Sequence, residues 1–137
     1  MEFEPPLIGC ILSNRNFSFE ALRKTRQCVI NIPAVKLAGK VVQCGNCTSG
    51  KIDKFAAFGL TPAQASVVNA PLIAECFANL ECKVVDTTLV NKYNFFILEV
   101  VKAWIETPHK LHRTIHHQGY GVFAVDGRII KLPSVKK

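Results

Sequence analysis

The stretch Asn79-Leu80-Glu81-Cys82-Lys83-Val84-Val85-Asp86 decides the fold, because its polar and apolar residues alternate. Successive side chains of a β-strand point to opposite faces, so the apolar positions share one face and the polar positions share the other. The apolar set is Leu80, Cys82 and Val84, and the polar set is Asn79, Glu81 and Lys83. The pattern predicts a half-buried strand, paired across a turn at Asn91 to Asn94 with a long strand at Phe95 to Ile105.

Shorter segments on either side extend this pair into a larger sheet. Asp126-Gly127 is a strong signal for a two-residue hairpin between Gly121 to Val125 and Arg128 to Leu132. The other predicted strands are Leu7 to Ser13 and Gln27 to Ile32, and the predicted helices are Phe17 to Arg26, Ala34 to Cys44 and Ile52 to Phe58. The expected fold is therefore mainly β and antiparallel, with two or three short helices. A barrel is the economical way to hide the edges of such a sheet.

The composition limits the class of protein. A chain of 137 residues fits one domain, 1–137, and no apolar run reaches the roughly 18 to 20 residues that span a bilayer. The acidic start lacks the basic segment of a signal peptide, and six cysteines without a secretion signal indicate reduced thiols. A cytoplasmic protein is expected, without a membrane partner.

The net charge of +7 favours anionic partners in general. Its basic residues are scattered, with a small cluster only at Lys136 and Lys137. A protein that reads nucleic acid more often carries a basic stripe with interleaved aromatic residues. The charge pattern therefore predicts an anionic ligand and no nucleic-acid partner.

Two segments carry groups that suit an anion. Ser13-Asn14-Arg15-Asn16-Phe17-Ser18 combines short polar side chains, a guanidinium and the amides of a helix N-terminus. The alternative is plain capping of the helix by Ser18 or Asn16. Cys44 to Phe55 is rich in small residues that allow close approach of the backbone, and it offers Lys51 and Lys54 to a phosphate. Its alternative is an ordinary loop between helices, with Gly45 ending the preceding helix.

Two further patterns have rival interpretations. Cys44-Gly45-Asn46-Cys47 has the C-x-x-C spacing of a thiol redox or metal site. A four-ligand zinc site needs a second pair, and the nearest candidates are Cys76 and Cys82, at an uncharacteristic spacing, or His112 and His116. Each cysteine can also be a small buried apolar residue. The favoured interpretation is therefore free thiols without a catalytic role. The four histidines between Thr107 and Gly119 are expected to lie in a solvated loop. They are His109, His112, His116 and His117.

The order of short motifs along almost the whole chain resembles the flavin reductase-like, FMN-binding split-barrel family. The matching segments are Phe3 to Ile8, Ser13 to Ser18, Val29 to Pro33, Ser49-Gly50, Asp53 to Phe55, Gly59 to Thr61, Ala70 to Cys76, Asn79 to Cys82 and Leu98 to Val101, followed by Thr114 to His117 and Gly119. The resemblance implies an antiparallel split β-barrel of the Greek-key type and an FMN at a homodimer interface. It also implies an oxidoreductase that passes electrons from NAD(P)H to or through the flavin, with a partner oxygenase or other electron acceptor left open.

The resemblance also assigns cofactor-binding residues. Ser13, Asn14, Arg15, Asn16 and Ser18 match the turn that holds the FMN phosphate and ribityl chain, and Ser49, Gly50 and Lys54 match the second flavin-contacting loop. It implies no catalytic side chain and no metal ligand, because the flavin carries the chemistry. The chain is expected to lack the family's first strands. The alternative is a split-barrel interaction protein that has lost flavin binding and has no enzymatic activity.

Overall fold

The computed structural model describes residues 4–48, 50–105 and 113–127. The helices are α1 (Phe17–Thr25), α2 (Ala38–Gly45), α3 (Lys54–Phe58) and α4 (Val90–Tyr93), and a 3-10 turn, Val35–Leu37, precedes α2. The strands are β1 (Leu7–Ile11), β2 (Gln27–Ile32), β3 (Pro62–Ala63), β4 (Leu72–Ile73), β5 (Ala78–Asp86), β6 (Phe95–Ile105), β7 (Ile115–Gly119) and β8 (Val122–Val125). The mainly β, antiparallel architecture predicted from the sequence is confirmed.

The centre of the molecule is a four-stranded antiparallel sheet in the order β1-β6-β5-β2. The β5–β6 ladder is interrupted between Glu81 and Cys82 and again between Val84 and Asp86. Bulges of this kind increase local twist, which curls the sheet into half of a barrel. Two small hairpin sheets, β3–β4 and β7–β8, lie beside it. No helix in the described ranges combines the length and the apolar character needed to cross a bilayer.

The core lies between α1 and one face of the central sheet. Phe19 and Leu22 of α1 pack on Cys82, Phe96 and Leu98, which are fully buried. The rings of Phe19 and Phe96 meet edge to face with centroids 5.4 Å apart, a favoured aromatic geometry. Burial of these apolar side chains is the main stabilising contribution and fixes α1 on the sheet.

Several predicted elements change in detail. The helix expected over Ala34 to Cys44 is divided into the 3-10 turn and α2, and the C-cap of α2 is Asn46 rather than Gly45. A fourth short helix, α4, occupies the place of the predicted turn before Phe95. β8 pairs with β7, while the second strand predicted at Arg128 to Leu132 lies outside the described residues.

The largest correction concerns the polar face of β5. Lys83 is exposed as predicted, but Asn79 and Glu81 are buried, and Glu81 has no exposed surface. The reason is that the segment Ser66 to Ile73 lies over this face and hydrogen-bonds to it. The alternation predicts the two faces, but it cannot show what covers the polar one.

Candidate functional site

The turn between β1 and α1 forms one side of the site. The Ser13 carbonyl accepts a hydrogen bond from the Asn16 amide at 3.0 Å, and the Ser13 hydroxyl accepts one from the Arg15 amide at 3.3 Å. Asn16 is the N-cap of α1 but makes no side-chain capping bond, and Ser18 lies within the first turn. Within the described part of the chain, the amides of Phe17 and Ser18 have no hydrogen-bond acceptor. Ser18 is therefore not the cap, and Asn16 holds the N-cap position without a side-chain bond. The Phe17 and Ser18 amides can thus donate to an external acceptor.

The loop between α2 and α3 forms the other side. The side chain of Asp53 caps α3 by accepting hydrogen bonds from the amides of Phe55 and Ala56. This cap fixes the position of Lys54, whose ammonium donates to the Cys44 carbonyl at 2.5 Å. Cys44 lies in the last turn of α2, where carbonyl groups lack helical partners and attract cations. Lys54 therefore links the end of α2 to the start of α3.

A cavity of about 430 Å³, here called the anion cavity, lies between these two sides. It is lined by Arg15, Asn16, Phe17, Ser18, Cys44, Gly45, Asn46, Cys47, Thr48 and Lys54. Arg15 and Lys54 supply positive charge, and none of the described lining residues carries a carboxylate. The remaining polar groups are hydroxyls, amides and the N-terminus of α1, all of which can donate to a phosphate.

The structure brings together half of the predicted site residues. Arg15, Asn16, Ser18 and Lys54 line the anion cavity. Ser13 and Asn14 lie in the adjoining turn without lining it, and Ser49 lies outside the described residues. Gly50 is not part of the lining; a Cβ at this position would contact the Phe17 ring at 3.5 Å. These residues remain predictions as cofactor ligands.

Sequence reasoning missed Phe17 and the run Cys44 to Thr48 as lining residues. Both lie inside the two segments that the sequence predicts to suit an anion, but neither is among the predicted ligands. Cys44 is the last residue of the predicted helix, whereas α2 continues through Gly45. The predicted helix Ile52 to Phe58 corresponds to α3, and Asp53 as its N-cap is the signal that could have placed its first residue at Lys54.

The family model for the flavin reductase-like domain matches residues 1–122. The chain belongs to this family. The fold is also that of an FMN-binding domain of flavin reductase-like enzymes from Shewanella baltica, with a TM-score of 0.88 and 22% identity over 97% of this chain and 77% of that one. Flavoredoxin of Desulfovibrio vulgaris gives a TM-score of 0.86 and 18% identity over 99% and 78% of the two chains. The predicted split-barrel fold is thereby confirmed.

A curated relative of this flavin reductase-like domain is an uncharacterised protein of Archaeoglobus fulgidus. The two are 27% identical over 101 residues, which cover 74% of this chain and 57% of the relative. The chain thus spans little more than half the length of that relative.

The cysteines of the flavin reductase-like domain are free thiols, including the half-buried Cys44 and Cys47 that line the anion cavity. Reactive thiolates are favoured at helix N-termini, whereas Cys44 lies at the C-terminal end of α2. In the described ranges, no three His, Cys, Asp or Glu side chains are grouped so as to hold a metal ion.

The histidine region differs from the expected solvated loop. His116 and His117 lie on β7 of the β7–β8 hairpin, while His109 and His112 lie outside the described residues. The His116 Nε2 and Asp126 Oδ1 atoms are 2.8 Å apart. The Thr114 hydroxyl and the His116 ring both hydrogen-bond to the Asp126 carboxylate, and they lower its pKa in that order of importance. These bonds link the two ends of the hairpin at its base.

A second cavity, of about 470 Å³, adjoins the anion cavity along α1 and is here called the α1 cavity. The two share Phe17 and Ser18. The α1 cavity is lined by Phe17, Ser18, Ala21, Leu22, Thr25, Gln27, Cys28, Val29, Asn69, Ala70 and Pro71. None of these side chains is charged, in contrast to the anion cavity.

Proposed function

We propose that the chain binds FMN with its phosphate in the anion cavity and acts as a flavin-dependent oxidoreductase with NAD(P)H as reductant. The observation that carries the proposal is the position of Arg15 and Lys54 around one cavity at the N-terminus of α1, with no carboxylate among its described lining residues. Membership of the flavin reductase-like family and the FMN-binding proteins of the same fold support flavin as the ligand. The cytoplasm, where nicotinamide nucleotides are at hand, is the proposed location.

Each group of the anion cavity has a distinct part in holding the phosphate. The Phe17 and Ser18 amides lie at the positive end of α1 and have no acceptor in the described part of the chain. The Arg15 guanidinium can bind two phosphate oxygens at once. Lys54 uses one of its three N–H donors on the Cys44 carbonyl, which leaves two for phosphate and fixes the ammonium in place. The hydroxyls of Ser18 and Thr48 add neutral donors.

A bound flavin would supply the redox chemistry by accepting a hydride and releasing electrons. The protein's part is to bind and orient this cofactor, so no side chain is required as an acid, base or nucleophile.

Lys54→Ala tests the phosphate assignment. We expect it to weaken FMN binding by about tenfold to a hundredfold, the value of one charge-assisted hydrogen bond, and to leave riboflavin binding nearly unchanged. The measurement is quenching of flavin fluorescence in titrations with each ligand. Lys51→Ala is the matched control, because Lys51 lies in the same loop but does not line the cavity.

Equal losses for FMN and riboflavin would contradict a phosphate contact at Lys54. Failure of the unaltered protein to bind either flavin would overturn the proposed function and favour an interaction protein. Anaerobic addition of NADH or NADPH to the FMN complex tests the reductant, since reduction bleaches the visible absorbance of the flavin.

A further inference from the structure

The segment Ser66 to Ile73 is bound to the central sheet by side chains rather than by strand pairing along its length. The buried Glu81 carboxylate accepts hydrogen bonds from the Ser66, Val67 and Val68 amides at 3.0, 2.6 and 3.0 Å. It also accepts from the Ser66 hydroxyl at 3.1 Å and from the Trp104 indole N–H at 2.7 Å. Five donors thus converge on one carboxylate.

Three further side chains of β2 and β5, all of them carboxamides, also bind the main chain of the segment Ser66 to Ile73. Gln27 accepts a hydrogen bond from the Asn69 amide at 3.1 Å. Asn31 and Asn79 both accept from the Ile73 amide, at 3.2 and 3.1 Å, and Asn79 donates to the Ile73 carbonyl at 3.3 Å. The strand register places all of these side chains, with Glu81, on one face of the sheet.

Burying a carboxylate is costly unless hydrogen bonds compensate for the lost water. Apolar side chains would be enough to cover this face of the central sheet, as they cover the opposite face. The polar attachment instead fixes the path of a backbone segment that has little regular structure. The polar attachment therefore also fixes the position of Asn69, Ala70 and Pro71.

These three residues line the α1 cavity together with Phe17, Ser18 and Ala21 and form the part of its wall that the attached segment supplies. The α1 cavity meets the anion cavity at Phe17 and Ser18, so a ligand anchored in one can extend into the other. Because the lining of the α1 cavity is uncharged, it suits a neutral part of such a ligand, with apolar surface and a few hydrogen-bonding groups.

We propose that Asn69, Ala70 and Pro71 contact the uncharged part of the ligand whose phosphate lies in the anion cavity, and that Glu81 is the positioning residue for this wall. The inference rests on the proposed function, because it takes that ligand to be a phosphorylated flavin. It adds a third ligand-contacting segment, far from Ser13 to Ser18 and Cys44 to Lys54 in the sequence.

Asn69→Ala tests the wall directly. It should weaken FMN and riboflavin by the same factor, about twofold to tenfold for one neutral hydrogen bond, because both ligands share the uncharged part. This result differs from that of Lys54→Ala, which separates the two ligands. Val67→Ala is the matched control, since Val67 lies in the same segment, is 45% exposed and does not line the cavity.

Glu81→Ala and Glu81→Gln test the positioning role. We expect Glu81→Ala to speed amide hydrogen exchange at Ser66 to Val68 and to weaken both flavins together, with Glu81→Gln intermediate because its amide oxygen still accepts hydrogen bonds. Cys82→Ala is the control for general destabilisation: this fully buried neighbour faces the core and should leave flavin affinity within about twofold.

Unchanged riboflavin affinity in both Asn69→Ala and Glu81→Gln would overturn the inference while leaving FMN binding intact. If Cys82→Ala weakens flavin binding as much as the Glu81 variants do, Glu81 acts only through overall stability, and the inference is also overturned. Absence of flavin binding in the unaltered protein is a separate outcome, which overturns the proposed function together with the wall. Asn69→Ala and Glu81→Gln keep the test decisive if Glu81→Ala fails to fold.

Discussion

Glu81 is ionised inside the fold because hydrogen bonds outweigh desolvation. Burial raises the pKa of Glu81, but the bonds from the Ser66 amide, the Trp104 indole and the Val67 and Val68 amides lower it to about 2. An unfolded glutamate has its ordinary value of 4.5. The stabilisation from these bonds is therefore complete above pH 4.5 and is lost as the pH falls toward 2.

Acid should weaken the fold through this residue. At neutral pH we expect Glu81→Gln to lower the free energy of unfolding by about 2 to 4 kcal/mol, because charge-assisted bonds are lost and buried donors are left poorly satisfied. The difference from the unaltered protein should shrink between pH 4.5 and pH 2. Urea unfolding across this range measures it, and a difference that stays constant with pH would contradict the assignment.

Other carboxyl groups make the comparison with Glu81→Gln necessary. Hydrogen bonds from threonine hydroxyls are the leading cause that lowers the pKa of Glu75, Asp86 and Asp126. The unaltered protein should therefore lose some stability in acid for reasons unrelated to Glu81. Only the difference between the two proteins reports on the buried carboxylate.

At the scale of single elements, the turn of the β7–β8 hairpin places a tyrosine in an unfavourable backbone conformation. Its connecting residues, Tyr120 and Gly121, have φ values of 50° and 77°. A turn with two positive φ angles favours Asn-Gly, and a tyrosine in the left-handed region is strained. Tyr120 is fully exposed, so no packing within the described chain offsets that strain.

Tyr120→Asn should therefore stabilise the protein, by about 0.5 to 1 kcal/mol, because asparagine tolerates the left-handed region better. Urea unfolding measures the gain. Tyr93→Asn is the control, since Tyr93 is also exposed but has an ordinary helical backbone. If Tyr120→Asn is neutral or destabilising, the turn is not strained in the way described.

The elements themselves were largely predictable, whereas the site was predictable only in part. Alternation located β5, and the turn that follows it located the long partner strand β6. The placement of Glu20 near one end and of basic residues near the other located α1. Each of these signals is local. The anion cavity depends on α2 ending close to Lys54, and that proximity arises from the capped start of α3 rather than from any periodic pattern. Hence Arg15, Asn16, Ser18 and Lys54 were predicted as ligands and line the cavity. Phe17 and Cys44 to Thr48 lie in the same two predicted segments but were not assigned as ligands.

At the scale of the whole molecule, the exposed apolar surface indicates association. Ile11 at the end of β1 is 74% exposed, and Ile105 at the end of β6 is 65% exposed. Among the strands that the structure describes, β1 and β2 are the outer ones of the central sheet, and strand edges without a partner attract further chains. The mean hydropathy is +0.20, although 20% of the residues are charged.

We therefore expect a homodimer with flavin held between the chains. Sedimentation equilibrium at micromolar concentration should give twice the chain mass of 15.2 kDa, because obligate dimers commonly bury about 2,000 Å² or more of largely apolar surface. A dilution series provides the control for weak association. A stable monomer that binds one FMN would contradict both the dimer and the shared site.

The attachment of Ser66 to Val68 to Glu81 also bears on how such a protein can diversify. Glu81 holds the main-chain amides, which every amino acid except proline provides, so the anchor places little demand on the side chains of this segment. Mutational drift along the segment can therefore alter the neighbouring cavity wall while the sheet that supports it is inherited unchanged. Burial of the Glu81 carboxylate is unfavourable by itself, but it holds the segment in a way that lets its side chains, and with them the preferred ligand, change.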